Sequence, residues 1–310
     1  MLRGFLLIAL GLSCALAQPA RQDLARRILN WLPSDTEAFV ASSVPLSLSE
    51  AHNISSPGEI YTALTLSALP GLAPDHPITK ALGNVRVRAA FYAAQTFDWY
   101  QLARGIDLST AKRRCAILNA PAAELAPLLK ALRALPNDRV FERDVYLLND
   151  AQYQRGSASG YASIAFLEPS LVIFSTNRDF LDEILKRRLA VAPRAALPET
   201  LPEWRLVERG QPVWGLRHHS RPKRAFDRTR DARGMSFSLS ATSIATVGYI
   251  ADDSLALDSY RRYWSESPEA KYADLPGGAL RISYNARKDK ACECCGRILI
   301  HLMGLGMTAE

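Results

Sequence analysis

Residues 161–190, YASIAFLEPSLVIFSTNRDFLDEILKRRLA, carry the clearest folding signal in the chain. Two short apolar runs flank a Glu168-Pro169-Ser170 turn, and the second run leads directly into a segment with apolar side chains at helical spacing. Thr176 or Asn177 is placed to cap that helix, whose acidic residues come early and basic residues late, as suits the helix dipole. The stretch therefore predicts a strand–strand–helix unit.

The overall composition is that of a globular protein with room for two domains. The chain has 310 residues, of which 48% are hydrophobic and 22% charged, and its formal net charge is +7. These values argue against wholesale disorder and against a coiled coil. The basic residues are spread along the chain instead of alternating with aromatic residues, so nucleic-acid binding is not expected.

The first residues are typical of an export signal. Arg3 supplies a positive start, residues 5–16 form a short apolar run, and Ala15-Leu16-Ala17 is a small-x-small cleavage site. We expect residues 1–17 to be removed and the mature protein to be periplasmic or extracellular, with no later segment apolar enough to span a bilayer. Cys14 raises the alternative of lipidation, which the bulky Leu12 before it disfavours.

Residues 192–202 are rich in proline and predict a linker between a first unit, 18–191, and a second, shorter unit, 203–310. Leu201-Pro202 precedes a predicted strand at 213–218, as Leu32-Pro33 precedes one at 36–44. We therefore predict an α+β fold of two related units, each a mainly antiparallel sheet with helices packed on one face, produced by internal duplication. The other predicted elements are helices at 20–32, 59–69, 121–135 and 255–264, strands at 85–91 (half-exposed), 114–119, 235–240 and 278–284, and a hairpin at 140–148 with its turn near 142–144.

Two sequence motifs imitate catalytic sites. Ser109-Thr110-Ala111-Lys112 matches the Ser-x-x-Lys of penicillin-binding proteins, but it runs into a strand instead of opening a helix. Residues 156–160 have the glycine spacing of a nucleophile elbow, with Ala158 in the place of the serine. The sequence thus predicts no catalytic residue and no cofactor, and it leans against an enzyme. A hydrolase of cell-envelope polymers whose site is assembled only in the fold stays open.

The C-terminal cysteines are the most unusual local feature. Cys292, Cys294 and Cys295, together with His301, could bind zinc or cuprous copper, although their spacing fits no zinc-finger framework. Disulfides are the alternative that an oxidising compartment favours, including a long-range bridge from Cys115. A metal-binding protein is therefore one alternative function.

Residues 217–233 combine His218 and His219 with a basic run. This segment could make weak contact with an anionic surface through its basic side chains: Arg217, Arg221, Lys223, Arg224, Arg228 and Arg230. We favour a solvated loop between two strands, because Phe226 is the only aromatic residue in the run.

Three motifs resemble an uncharacterised family of exported bacterial proteins. They are the Leu32-Pro33-Ser34-Asp35-Thr36-Glu37 start, the strand-to-helix segment 175–187, and the 196–204 stretch that leads into the strand at 213–218. The resemblance covers most of the mature chain. It implies export from a bacterial cell and brings no established activity. The function expected is that of a non-catalytic binding or structural protein of the cell envelope.

Overall fold

The computed structural model describes residues 23–50, 56–66, 75–95, 113–148, 163–190, 195–218, 233–252, 254–265 and 269–286. The α-helices within these residues are α1 (23–31), α2 (Pro57–Leu66), α3 (Pro77–Gly83), α4 (Ala122–Leu132), α5 (Arg178–Arg188) and α6 (Ser254–Trp264). Short 3-10 helices cover Leu48–Glu50 and Pro202–Leu206.

The strands are β1 (Ala38–Ser42), β2 (Leu46–Ser47), β3 (Arg86–Val87), β4 (Ala89–Ala94), β5 (Arg114–Asn119), β6 (Asn137–Val140), β7 (Arg143–Leu147), β8 (Ser163–Glu168), β9 (Leu171–Ser175), β10 (Val213–His218), β11 (Gly234–Leu239), β12 (Ile244–Ile250), β13 (Lys271–Leu275) and β14 (Ala279–Asn285). Helices thus accompany a large antiparallel sheet, which agrees with the α+β class predicted from the sequence.

One sheet of 12 strands organises the fold, in the order β13-β14-β12-β11-β10-β1-β4-β5-β9-β8-β7-β6. All pairs within it are antiparallel. At its centre β1 pairs with β10, and Val40 lies opposite Gly215. The strands on the two sides of the predicted linker therefore belong to one continuous sheet.

Helices cover both faces of this sheet, so the prediction of helices on one face is wrong. Along β1, Ala38 and Val40 point into one core and Phe39 and Ala41 into the other. The first core, here called the α4 face, also holds buried side chains of α3, α4 and α6. The second, here called the α5 face, holds those of α1, α5 and Trp204. The physical reason is that the central strands are apolar on both sides and need cover on both.

The half-exposed strand predicted over 85–91 is only partly correct. Val85 and Val87 are buried and Arg86 and Arg88 exposed as expected, but all six residues of β4, Ala89–Ala94, are buried. The reason is that β4 lies between β1 and β5 inside the sheet and α2 packs against it, so its residues are enclosed. Local patterns also carried no strong signal for β12 or β13, which complete the second half of the sheet.

The strand–strand–helix unit is confirmed within residues 163–190. Strands β8 and β9 meet at the 169–170 turn, and α5 follows. Asn177 caps α5, because its side-chain oxygen accepts a hydrogen bond from the Phe180 N–H at 3.0 Å. The apolar side of α5 is buried on the sheet through Phe180, Leu181, Ile184 and Leu185.

We expect Asn177→Ala to lower the free energy of unfolding by about 1 kcal/mol, since the alanine leaves a helix N–H without its cap. Asp182→Asn should cost only about 0.3–0.5 kcal/mol, because Asp182 makes a partly exposed ion pair with Arg178 at 2.7 Å. Urea denaturation of both variants measures the two losses. Asn177→Asp is the control that keeps a capping oxygen, and a loss equal to that of Asn177→Ala would contradict the capping role.

Candidate functional site

A histidine–glutamate pair lies at one end of the sheet, where β10 ends and β11 begins. His218 Nδ1 and Glu203 Oε1 are 2.8 Å apart. The Glu203 side chain is 0% exposed and that of His218 is 15% exposed. His218 is the last residue of β10 and pairs with Gly234, while Glu203 lies on the 3-10 helix above the sheet.

The local sequence explains why Glu203 reaches this place. Pro202 opens the 3-10 helix, and Trp204 anchors it by donating from Nε1 to the Leu197 carbonyl oxygen at 3.1 Å. Glycine in the strand below makes room for the carboxylate. A Cβ added at Gly234 would lie only 1.7 Å from Glu203 Oε1.

The chemistry open to this pair is proton transfer at the histidine. A buried carboxylate that binds Nδ1 fixes the orientation of the ring and leaves Nε2 as the nitrogen that meets a reactant. Glu203 Oε2 has no hydrogen-bond partner among the described residues. A buried carboxylate oxygen without a partner is costly, so this is an unusual arrangement for a purely structural contact.

Sequence reasoning singled out His218 but missed its partner. Leu201-Pro202 marks the approach to β10 in the sequence, but nothing in that pattern indicates that the following Glu203 is buried. The burial of a glutamate cannot be inferred from neighbouring residues, since it depends on the 3-10 helix docking over Gly234. The one local indication of this burial is that Glu203 lies between Pro202 and Trp204, two residues whose side chains tend to pack inward.

A groove on the α4 face is the second feature, near the opposite end of the sheet. It has a volume of about 270 Å³ and runs between α4 and β8. Its lining is mostly apolar, and Arg143 and Glu168 are the charged residues among those that line it. The apolar lining includes Leu125, Ala126, Leu129 and Phe166.

Cys115 is a free thiol enclosed in the sheet. It is fully buried on the α5 face, and burial raises the pKa of the thiol to about 12. A thiol that stays protonated is a poor nucleophile and a poor metal ligand. Since Cys115 is a free thiol, it does not form the long-range disulfide that the sequence left open.

Arg217 lies in strand β10 of the sheet, and not in the solvated loop predicted for residues 217–233. It lies in β10, opposite Ala38 on one side and Met235 on the other, and is half-buried. Burial raises the pKa of Tyr92 to about 12, against the opposing influence of the nearby Arg114 and Arg217 charges. Arg217 thus contributes to a buried electrostatic cluster on the α4 face.

The remaining candidates from the sequence lie outside the described residues. These are Cys14 and the signal segment, the Ser109-x-x-Lys112 motif, residues 156–160, the loop residues His219, Arg221, Lys223, Arg224, Arg228 and Arg230, and the C-terminal set Cys292, Cys294, Cys295 and His301. Over the described ranges, no three His, Cys, Asp or Glu side chains are grouped so that they could bind a metal ion.

No family model, curated protein or solved structure matches this chain. Among the described helices, none combines the length and apolarity required to cross a bilayer. The site must therefore be interpreted from its own geometry.

We expect Gly234→Ala to lower the free energy of unfolding by roughly 1–3 kcal/mol, because the new methyl group collides with the Glu203 carboxylate. The double variant Gly234→Ala/Glu203→Ala should lose less than the sum of the two single losses, since removing the carboxylate removes the collision. Gly83→Ala is the matched control, as no atom lies within 4 Å of the place that its new methyl group would take. Additive losses would contradict the close packing of Glu203 on Gly234.

We expect the Cys115 thiol to resist alkylation in the folded protein, because burial keeps it protonated and out of contact with reagent. The measurement is iodoacetamide labelling in a Cys292→Ser/Cys294→Ser/Cys295→Ser background at mildly alkaline pH, followed by mass spectrometry. Labelling should become fast only in denaturant. Equally fast labelling without denaturant would show that the sheet opens at β5.

Proposed function

We propose that the protein is an exported, non-catalytic binding protein of the cell envelope, whose groove between α4 and β8 takes an acyl chain of an envelope lipid. The groove carries this proposal. Concave, mostly apolar surfaces with a few charged groups are typical of ligand-binding sites, and the charged groups that line this one belong to Arg143 and Glu168. Export rests on the signal segment at residues 1–17, and a mature N-terminus at Gln18 after secretion would support it.

The structural roles of the reactive side chains also favour binding over catalysis. Cys115 is enclosed and protonated. The charges of α5 act within the helix, where Arg178 pairs with Asp182 and the basic residues of the last turn suit the dipole. These groups therefore need no catalytic role.

We expect Ala126→Trp to weaken binding of a fluorescent fatty acid at least tenfold, because Ala126 is exposed in the groove wall and the indole ring fills the space. Ala123→Trp is the matched control, since Ala123 is also exposed on α4 but does not line the groove. Fluorescence titration gives both affinities. Equal affinities for the two variants would refute the groove as the binding site.

A second candidate function is hydrolysis of an envelope polymer with His218 as general base, and the Glu203–His218 pair favours it. In such a reaction His218 Nε2 would take a proton from an attacking water while Glu203 holds the ring. Release of soluble fragments from peptidoglycan by the mature protein, lost in His218→Ala, would support this function. Absence of any release by the unaltered protein would eliminate it for this polymer.

Metal binding at Cys292, Cys294, Cys295 and His301 stays a prediction from the sequence. Elemental analysis of protein purified without added metal decides it: a folded sample free of zinc and copper would end this alternative.

The duplication is likewise a proposal, and the order of the strands supports it. In the first half, β1, β4 and β5 are neighbours, α4 follows β5, and β9 returns to pair with β5. In the second half, β10, β11 and β12 are neighbours, α6 follows β12, and β14 returns to pair with β12. Both α4 and α6 pack on the same face. Superposition of the two halves should align these elements in this order, and failure to align them would count against a duplication.

A further inference from the structure

The tips of two hairpins and the end of a helix meet at the groove end of the sheet. Strands β6 and β7 turn at Phe141-Glu142, and β8 and β9 turn at 169–170. Because β7 and β8 are antiparallel, with Val145 opposite Ala165, these two turns lie at the same end. Helix α5 has 11 residues and rises about 16 Å, which matches the roughly 17 Å of the strand β9 beneath it. It therefore ends beside the same turns.

Two large apolar side chains are exposed there. Phe141 is 42% exposed, and Leu189, which follows α5, is 50% exposed. Phe141 also has φ 44° and Glu142 has φ 63°, so both residues of the turn adopt the left-handed region. Asparagine and glycine are favoured at such positions, and a bulky aromatic residue is disfavoured. An exposed phenylalanine that strains its own turn does not serve the stability of the fold.

Several basic side chains lie at the same end of the sheet as these two residues. Arg27 forms an ion pair with Glu168, and Arg143 lines the groove. The pKa of Arg188 is lowered, first by partial burial and then by the positive charge of Arg143. Lys186 and Arg187 lie with Arg188 in the last turn of α5, so this end carries five basic side chains against the three acidic ones of Glu142, Asp144 and Glu168. This end of the molecule is therefore positive as well as apolar.

We propose that Phe141, Arg143, Arg188 and Leu189, here called the basic–apolar corner, dock the protein on an anionic lipid bilayer. Exposed apolar side chains enter the interface between headgroups and acyl chains, while arginines beside them bind anionic headgroups. The groove, whose lining includes Arg143, then lies next to the bilayer. The inference rests on the proposed binding function, and it adds the partner and the surface that meets it.

The test is sedimentation of the mature protein with vesicles of phosphatidylglycerol and phosphatidylcholine in equal parts, at low and high salt. Binding should fall at high salt and should be absent with pure phosphatidylcholine. Arg143→Gln/Arg188→Gln should weaken binding by about twenty-fivefold, at roughly fivefold for each arginine. Arg209→Gln/Arg233→Gln is the matched control, because it removes the same charge from exposed arginines elsewhere, and it should bind within about twofold of the unaltered protein.

The phenylalanine gives the sharper readout, because its two effects have opposite signs. Phe141→Asn should raise the melting temperature, since asparagine tolerates the left-handed turn, and yet weaken vesicle binding several-fold. Ile244→Asn, at a side chain 40% exposed on β12, is the control and should leave binding unchanged.

Vesicle binding that is unchanged in both corner variants would overturn the inference. The same holds if binding is lost only when the basic residues of 221–230 are neutralised. Full competition by free glycerol phosphate would also overturn it, because a headgroup alone would then suffice. The fatty-acid titration with Ala126→Trp tests the groove independently. Membrane docking through the corner can therefore be refuted while ligand binding in the groove is supported, and the reverse.

Discussion

The pairing of β1 with β10 is the contact on which the rest of the structure depends. It joins strands roughly 170–180 residues apart in sequence, Ala38 lying opposite Arg217 and Ser42 opposite Val213. Without it, both strands would expose an unpaired edge in the middle of the apolar core. Gly215 permits the close fit at this seam, since an added Cβ would lie 2.8 Å from the Phe39 carbonyl oxygen.

Both faces of this sheet are apolar and must be covered by helices, and the helices of the chain are divided between the two faces. Helix α1 and the 3-10 helix at Pro202–Leu206 lie on the α5 face, each just before one of the two central strands. Helices α4 and α6 lie on the α4 face, each after the third strand of its half. The Glu203–His218 pair occurs where one of these covering segments meets the sheet, so its geometry follows from the docking of that segment.

The sequence predicted those features of the fold that depend on residues close together in the chain. The cap at Asn177, the dipole-matched charges of α5 and the turn at 169–170 depend on residues within a few positions of one another, and the sequence indicated them. The central seam, the cover on both faces and the partner of His218 depend on residues far apart. The alternation around Arg86 and Arg88 predicted a half-exposed strand. The following β4 is fully buried because strands and a helix distant in sequence pack around it, and no local pattern indicates them.

Among the described residues, β6 and β13 are the outermost strands of the sheet, and both carry features that disfavour pairing with a further strand. Strands β6 and β13 are mostly exposed and carry charges, Asp138 and Arg139 on one and Lys271 and Asp274 on the other. Asp138 is paired with Arg178 of α5, and Asp274 with Arg261 of α6, so a helix holds each border in place. A second copy that added its own strand at either border would have to bury these ion pairs, which disfavours fibrous self-association through the sheet.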